Sequence, residues 1–221
     1  MQSLREFYSC MYMETQKYRS EYTIVVLFFV LNISHFFSSI AGQYATSTAG
    51  PSIPDVFDFL NNSYYDILRP YAYFIHTQWS FLLTMPVFIF LYLKYKKCLI
   101  HILLITVLIT ILRSIFLPIT HLGIPYGQLP LNSLYTFGGD LFFSGHIAKS
   151  YALYLVVKNL PVISKLVLIG HFIVLFGVLV GRYHYAIDIV SAYFIAFTLY
   201  TLTKPFVDKY FGEDLVLSRA I

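Results

Sequence analysis

Six largely apolar runs, at residues 23–40, 74–93, 99–119, 141–157, 162–180 and 185–202, dominate the chain and limit what it can become. Each is close to the ~20 residues that an α-helix needs to cross a bilayer at about 1.5 Å per residue. In lipid every backbone polar group must be satisfied within the protein, so runs of this kind fold as helices. Composition agrees. Of 221 residues, 58% are hydrophobic and 12% charged, where ordinary soluble domains carry about 25% charged residues. The 21 Phe and 20 Tyr suit lipid-facing surfaces and the aromatic belts at the membrane interfaces. The expected fold is therefore all-α, a polytopic membrane protein with six transmembrane helices in one bundle. The expected division is an N-terminal cytoplasmic segment at 1–22, a six-span domain at 23–203 and a cytoplasmic tail at 204–221.

The fourth run is the weakest, since it holds His146, Lys149 and Ser150, although Pro161 closes it and residues 151–157 are wholly apolar. Lysine and arginine placement supports six. With both termini inside, the inner segments carry Arg5, Lys17, Arg19, Lys94, Lys96, Lys97, Lys158, Lys165, Lys204, Lys209 and Arg219. The outer loops carry only Arg69 and Arg182, with Arg113 and Lys149 inside spans. Positive charge favours the cytoplasmic side, and an odd number of spans would spoil this asymmetry. Residues 1–22 are polar and lack the early apolar core of a cleaved leader, so insertion is expected to rely on the first span. The outer loop at 42–73, with Pro51, Pro54 and Asp55, is long enough to cover a site, and the loop at 120–139 is rich in Gly and Pro.

Several function classes fall away. A net charge of +4, dispersed among apolar runs, gives no footprint for nucleic acid. Cys10 and Cys98 are isolated and form no metal-ligand spacing. What remains is concentrated in residues 138–146 and 184–188, whose histidines His146 and His184 lie 38 positions apart. Two spans and a turn separate them, which returns the second histidine to the side of the first.

His184 and Asp188 are spaced i,i+4 and share a face on a helix. The carboxylate can accept the Nδ1 proton and leave Nε2 as nucleophile or base. The bland alternative is a helix-start histidine beside an incidental aspartate, but ionisable groups within spans are costly. Ser144 can cap the span that follows, and Gly145 lets a ligand approach the backbone. Such a helix end attracts anions, and His146 would stand beside a bound phosphate, able to give or take a proton. Arg113, deep in the third span, needs a partner, with Asp140 or a phosphate oxygen as candidates. Lys149 either faces the site or snorkels toward the interface. His35, His76, His101, His121 and His171 show no partner spacing and read as packing or interfacial residues, and Trp79 reads as a belt residue.

At these residues the chain resembles a known family. Phe142-Phe143-Ser144-Gly145-His146 and His184-Tyr185-Ala186-Ile187-Asp188 look like the second and third motifs of the type 2 phosphatidic acid phosphatase superfamily. The sphingomyelin synthase-like branch is closer. Its CGDxxxSGH motif is followed from Gly138, in place of the cysteine, through Gly139, Asp140, Ser144, Gly145 and His146. Its HYTxDVxxAYY motif aligns through His184, Tyr185, Asp188, Ala192 and Tyr193. Its RxIxxxxTxLxxP pattern is met by Arg113, Ile115, Thr120, Leu122 and Pro125, and its Pro-Asp element by Pro54-Asp55. Two phosphatase cations are missing, since Asn62 stands where a lysine would precede Arg69-Pro70 and Val178 stands where an arginine would precede the last histidine. Their loss fits a phosphodiester with one negative charge better than a dianionic monoester.

The resemblance implies a helical bundle like that of the superfamily. It also implies an enzyme that moves a phosphocholine or phosphoethanolamine head group from a glycerophospholipid to ceramide or a similar lipid alcohol. His184 would form a phosphohistidine, His146 would act as acid and base, and Asp188 would stabilise the imidazolium. Asp140, Ser144, Gly145, Arg113, Arg182 and Lys149 would bind substrate. The implied partners are phosphatidylcholine, phosphatidylethanolamine, diacylglycerol and ceramide, with no cofactor and no metal. The site is expected on the extracytoplasmic or lumenal face. The alternative on the same scaffold is a hydrolase, either a lipid phosphatase or a phospholipase C-type enzyme. A non-catalytic lipid-binding scaffold would give no reason for two histidines and an aspartate to share a face.

Overall fold

The computed structural model describes residues 2–56, 67–75, 80–120, 122–125, 128 and 142–211. Seven helices occur in it, in the order α1 (Gln2–Ser47), α2 (Arg69–Phe74), α3 (Ser80–Lys94), α4 (Lys96–Thr120), α5 (Gly145–Val157), α6 (Pro161–Val180) and α7 (Ala186–Phe211). No strand is present among the described residues. The all-α membrane fold expected from the apolar runs is thus observed. Among the described residues, four stretches are long and apolar enough to cross a membrane: Tyr18–Ser47, Lys96–Thr120, Pro161–Val180 and Ala186–Phe211. The second and fourth expected spans correspond to α3 and α5, which are helical over 15 and 13 described residues.

Helix ends depart from the expected span ends for local reasons. The run before residue 23 contains neither Gly nor Pro, so α1 is continuous from Gln2. α7 runs past residue 202 to Phe211 with Pro205 inside it, which helices in bundles tolerate when neighbours satisfy the freed carbonyl. Pro161 opens α6 at a position whose N–H has no helical partner. Along α4, hydroxyls bond back into their own helix: Thr106 to Ile102 O at 2.7 Å, Thr110 to Thr106 O at 2.8 Å and Ser114 to Thr110 O at 2.9 Å. Polar side chains thereby sit in a span without an unmet donor.

The core is built on α4, whose Leu99, Ile100, Ile102, Leu103, Ile105 and Ile109 are buried. α1 packs along α4, while α5 packs against α4, α6 and α7. Ala148 and Ala152 on α5 and Ala192 and Ala196 on α7 are fully buried, and small residues four apart let helix backbones approach closely. Outside, Phe29 and Phe36 of α1, Phe172 of α6 and Phe194 of α7 are exposed. In water such a surface would be a liability; in lipid it is the solvated face.

The two ends of the bundle differ. At one end Lys96 pairs with Glu21 at 2.9 Å and Lys97 with Asp208 at 2.7 Å, with Lys204 also on Asp208. Arg19 stacks over the Tyr210 and Phe211 rings, and Lys158 over Tyr200. The other end gathers the C-terminal ends of α4 and α6, the N-terminal ends of α5 and α7, and residues 51–55.

Candidate functional site

At this second end the two histidine-bearing stretches meet through their backbones. Ser144 N–H donates to the Asp188 carbonyl at 3.1 Å, so the start of α5 is tied to the first turn of α7. Ser144 caps α5, its hydroxyl accepting from Ile147 N–H at 3.4 Å. It is fully buried. Ser144 caps the helix as expected, and His184 and Asp188 do pair, although His184 lies just before α7 and not on a helix face shared with Asp188. His184 Nδ1 lies 3.3 Å from Asp188 Oδ2, with His184 6% and Asp188 0% exposed. The same oxygen accepts Tyr185 N–H at 3.0 Å. Asp188 Oδ1 is buried and takes no hydrogen bond among the described residues. The carboxylate therefore keeps spare acceptor capacity beside a ring whose Nδ1 it engages, leaving Nε2 as the ring atom for chemistry.

Arg113 reaches this site from two turns before the end of α4. Its Nη1 donates to the Phe143 carbonyl, and its guanidinium lies 5.5 Å from the centre of the Phe143 ring. The carbonyl partner was not among the sequence candidates. Asp140, the partner proposed from sequence, lies outside the described residues, as do Gly138, Gly139, His76, Trp79, His121 and Arg219. Gly145 earns its place by proximity: a Cβ there would stand 3.1 Å from Arg113 Cδ and Nε. The buried cation is thus pressed against the N-terminus of α5, where N–H groups and helix dipole already favour an anion.

Arg182 lies in the turn between α6 and α7, 1% exposed, with φ of 54°. A non-glycine residue in that left-handed region is strained. Hydrogen bonds on either side hold it, from Arg182 N–H to Leu179 O and from Tyr183 N–H to Val178 O, each 3.2 Å. His146 and Lys149 share one face of α5. With His35, Thr84, Ser150 and His171 they line a cavity of about 620 Å³ between α1, α3, α4, α5 and α6. Its remaining wall is mostly apolar, with Phe28, Met85, Phe88, Ile89, Leu153 and Val174. Lys149 therefore faces the interior beside His146. His146 lines this cavity, whereas Arg113, His184 and Asp188 do not.

Sequence reasoning missed the way residues 51–55 strap the site. Asp55 Oδ2 accepts Ala186 N–H at 2.8 Å, which caps α7 from another part of the chain. Tyr185 donates its hydroxyl to Gly123 O at 2.9 Å and accepts Ile53 N–H at 3.2 Å. Ser52 Oγ bonds Ile124 O, and a Cβ on Gly123 would overlap the Pro51 carbonyl. The only signals in sequence were the Pro54-Asp55 element and a glycine at 123. Two histidines read as packing residues have specific partners: His101 with Thr203 at 2.9 Å, and His171 with Ser150 and Tyr193.

Residues 138–205 match the family model described as PAP2 superfamily C-terminal. No curated protein and no solved structure matches the chain. The matched segment contains Ser144 to His146 and His184 to Asp188, and supports the type 2 phosphatidic acid phosphatase superfamily. Similarity to that superfamily suggests an activity of lipid phosphatase or phosphotransferase type, and the apolar helices suggest a multi-pass membrane protein. The match stays at the level of the superfamily and does not reach its sphingomyelin synthase-like branch.

Proposed function

We propose that the protein is a six-span lipid phosphotransferase of the sphingomyelin synthase-like kind. It would move a phosphocholine or phosphoethanolamine head group from a glycerophospholipid to ceramide or a similar lipid alcohol. The observation that carries the reading is the bond from Ser144 N–H to the Asp188 carbonyl. It brings the phosphate-attracting start of α5 to the histidine–carboxylate pair of α7.

His184 Nε2 attacks the phosphorus of the donor while the bond to the diacylglycerol oxygen breaks, and protonated His146 gives that oxygen its proton. The product is a phosphohistidine on His184, whose imidazolium charge Asp188 stabilises. Neutral His146 then takes the proton of the acceptor hydroxyl, the acceptor oxygen attacks phosphorus, and the phosphorus–nitrogen bond breaks to restore His184. Arg113 and the α5 N-terminus hold the phosphate oxygens, with Arg182, Lys149 and Asp140 as further substrate-binding residues. Phosphatidylcholine, phosphatidylethanolamine, diacylglycerol and ceramide are the lipids involved. The termini and the basic end lie in the cytoplasm and the site on the extracytoplasmic or lumenal face.

Water as acceptor would make the same site a lipid phosphatase or phospholipase C-type hydrolase. The apolar cavity beside His146 favours a lipid alcohol instead, because transfer needs an acceptor held where water is scarce. The test is to incubate purified protein with labelled phosphatidylcholine or phosphatidylethanolamine, with and without ceramide, and with phosphatidic acid as control. Ceramide-dependent label in a sphingophospholipid is the expected result. Free phosphoalcohol or inorganic phosphate as the main product would reject transfer. His184→Ala and His146→Ala should each abolish turnover with expression and insertion intact, and half-activity in either would refute the mechanism.

A further inference from the structure

One turn into α5 stands a second polar constellation. Ser150 Oγ donates to the His146 carbonyl at 2.8 Å and also lies 3.2 Å from the Ile147 carbonyl. The same oxygen is 2.8 Å from Nδ1 of His171 on α6. The other ring nitrogen, Nε2, is 2.7 Å from the hydroxyl of Tyr193 on α7. Three helices meet in one hydrogen-bonded chain, and His171 within it is only 2% exposed. An unmet polar atom at such a place is costly.

The direction of the chain follows from counting protons. Ser150 has one to give. If it goes to the His146 carbonyl, His171 Nδ1 carries hydrogen and donates to Ser150, and Nε2 accepts from Tyr193. In the reverse sense Ser150 donates to Nδ1 and Nε2–H donates to Tyr193. The Tyr193 proton then finds no acceptor among the described residues, and the His146 carbonyl loses its serine. The first sense satisfies every group, so it is the one assigned. It ends on a carbonyl, which has no proton to pass on. The chain can hold, but it cannot shuttle.

We propose that Tyr193, His171 and Ser150 are positioning residues for His146. They tie the first turn of α5, through the His146 peptide, to α6 and to α7, the helix that opens two residues after His184. The tether thereby sets how the His146 ring meets the lipid oxygen, a role that rests on the head-group transfer reading. Proton transfer needs hydrogen-bond reach, and a misplacement of ~1 Å can cost about 100-fold in rate.

The test compares His171→Leu, which removes both ring partners, with His171→Asn, whose amide can still donate to Ser150. His101→Leu, at the opposite end of the bundle, controls for loss of a buried histidine. Head-group transfer is measured per folded protein, with thermal midpoints in detergent alongside. His171→Leu should lower kcat about 10- to 100-fold. KM should stay within about threefold, His171→Asn should recover most of kcat, and His101→Leu should keep it. Unchanged kcat in His171→Leu, or an equal loss in His101→Leu, overturns the role. A second readout needs no turnover: ring-nitrogen NMR of the wild-type protein, with the His171 signals identified by their absence in His171→Asn. A proton on Nδ1 is expected, and one on Nε2 overturns the assignment. No turnover by wild type on any lipid offered, with the Nδ1 proton in place, instead rejects the transfer reading, and the positioning role falls with it.

Discussion

Asp188 does three jobs with two atoms. Its carbonyl holds Ser144, and its Oδ2 engages both His184 Nδ1 and Tyr185 N–H. Replacement by Asn would keep the backbone bond and the side-chain shape, since neither depends on charge. It would remove the anion that favours a charged ring and would let the amide turn a donor toward Nδ1. By analogy with carboxylate-to-amide changes that leave geometry intact but favour the wrong tautomer, Asp188→Asn should lower kcat by about 10³- to 10⁴-fold. The thermal midpoint should move little, and single-turnover labelling of His184 should show the loss at formation of the phosphoenzyme. An Asp188→Asn enzyme within tenfold of wild type would mean that His184 acts without the carboxylate. The pair was legible in sequence from its i,i+4 spacing, although His184 stands before α7 and the Asp188 carboxylate reaches back to it from the first turn. Arg113's bond to Phe143 O was not legible, because a main-chain carbonyl can come from any residue type.

At the scale of elements, α7 begins where it does because residues 51–55 hold it there. Its first N–H goes to Asp55, and Tyr185, just before it, bridges Gly123 and Ile53. Tyr185→Phe would leave the buried Gly123 carbonyl, and the more exposed Ile53 N–H, short of a partner, a loss of about 1 kcal/mol. Asp55→Ala would remove a helix cap, worth about 1 kcal/mol. Both variants should lower the thermal midpoint and speed amide exchange at residues 51–55 and at the start of α7, measured by mass spectrometry. Exchange in α4 should not change. If exchange rises uniformly, the strap is not a separate unit. Sequence announced the elements themselves, since long apolar runs leave lipid-soluble chains no alternative to helix. It did not announce the strap, whose contacts join residues more than sixty positions apart through backbone groups. The His171 chain was hidden for a similar reason: its three members sit on three helices, and no spacing within one helix reveals them.

On the scale of the whole molecule, charge and chemistry are segregated to opposite ends. Positive charge counted along the sequence already separated the two sides, because insertion sorts lysine and arginine by side whatever the helices later pack against. The structure adds contacts at each end, with Lys96 on Glu21 and Lys97 on Asp208 at one, and Asp55 on Ala186 at the other. Which end faces the cytoplasm is a matter for labelling, and the folded form decides which positions can report it. His184 is 6% exposed and a poor target. Val56, 72% exposed beside the strap, marks the site end, and Lys158, exposed just after α5, marks the basic end. In a background with Cys10 and Cys98 replaced by Ser, Val56→Cys should react with an impermeant maleimide from the extracytoplasmic side. Lys158→Cys should react only after permeabilisation. The reverse pattern would put the site in the cytoplasm and remove the outer-leaflet lipids from its reach. Labelling of both from one side would break the parity argument, because the three expected spans between Val56 and Lys158, at α3, α4 and α5, must leave the two positions on opposite faces.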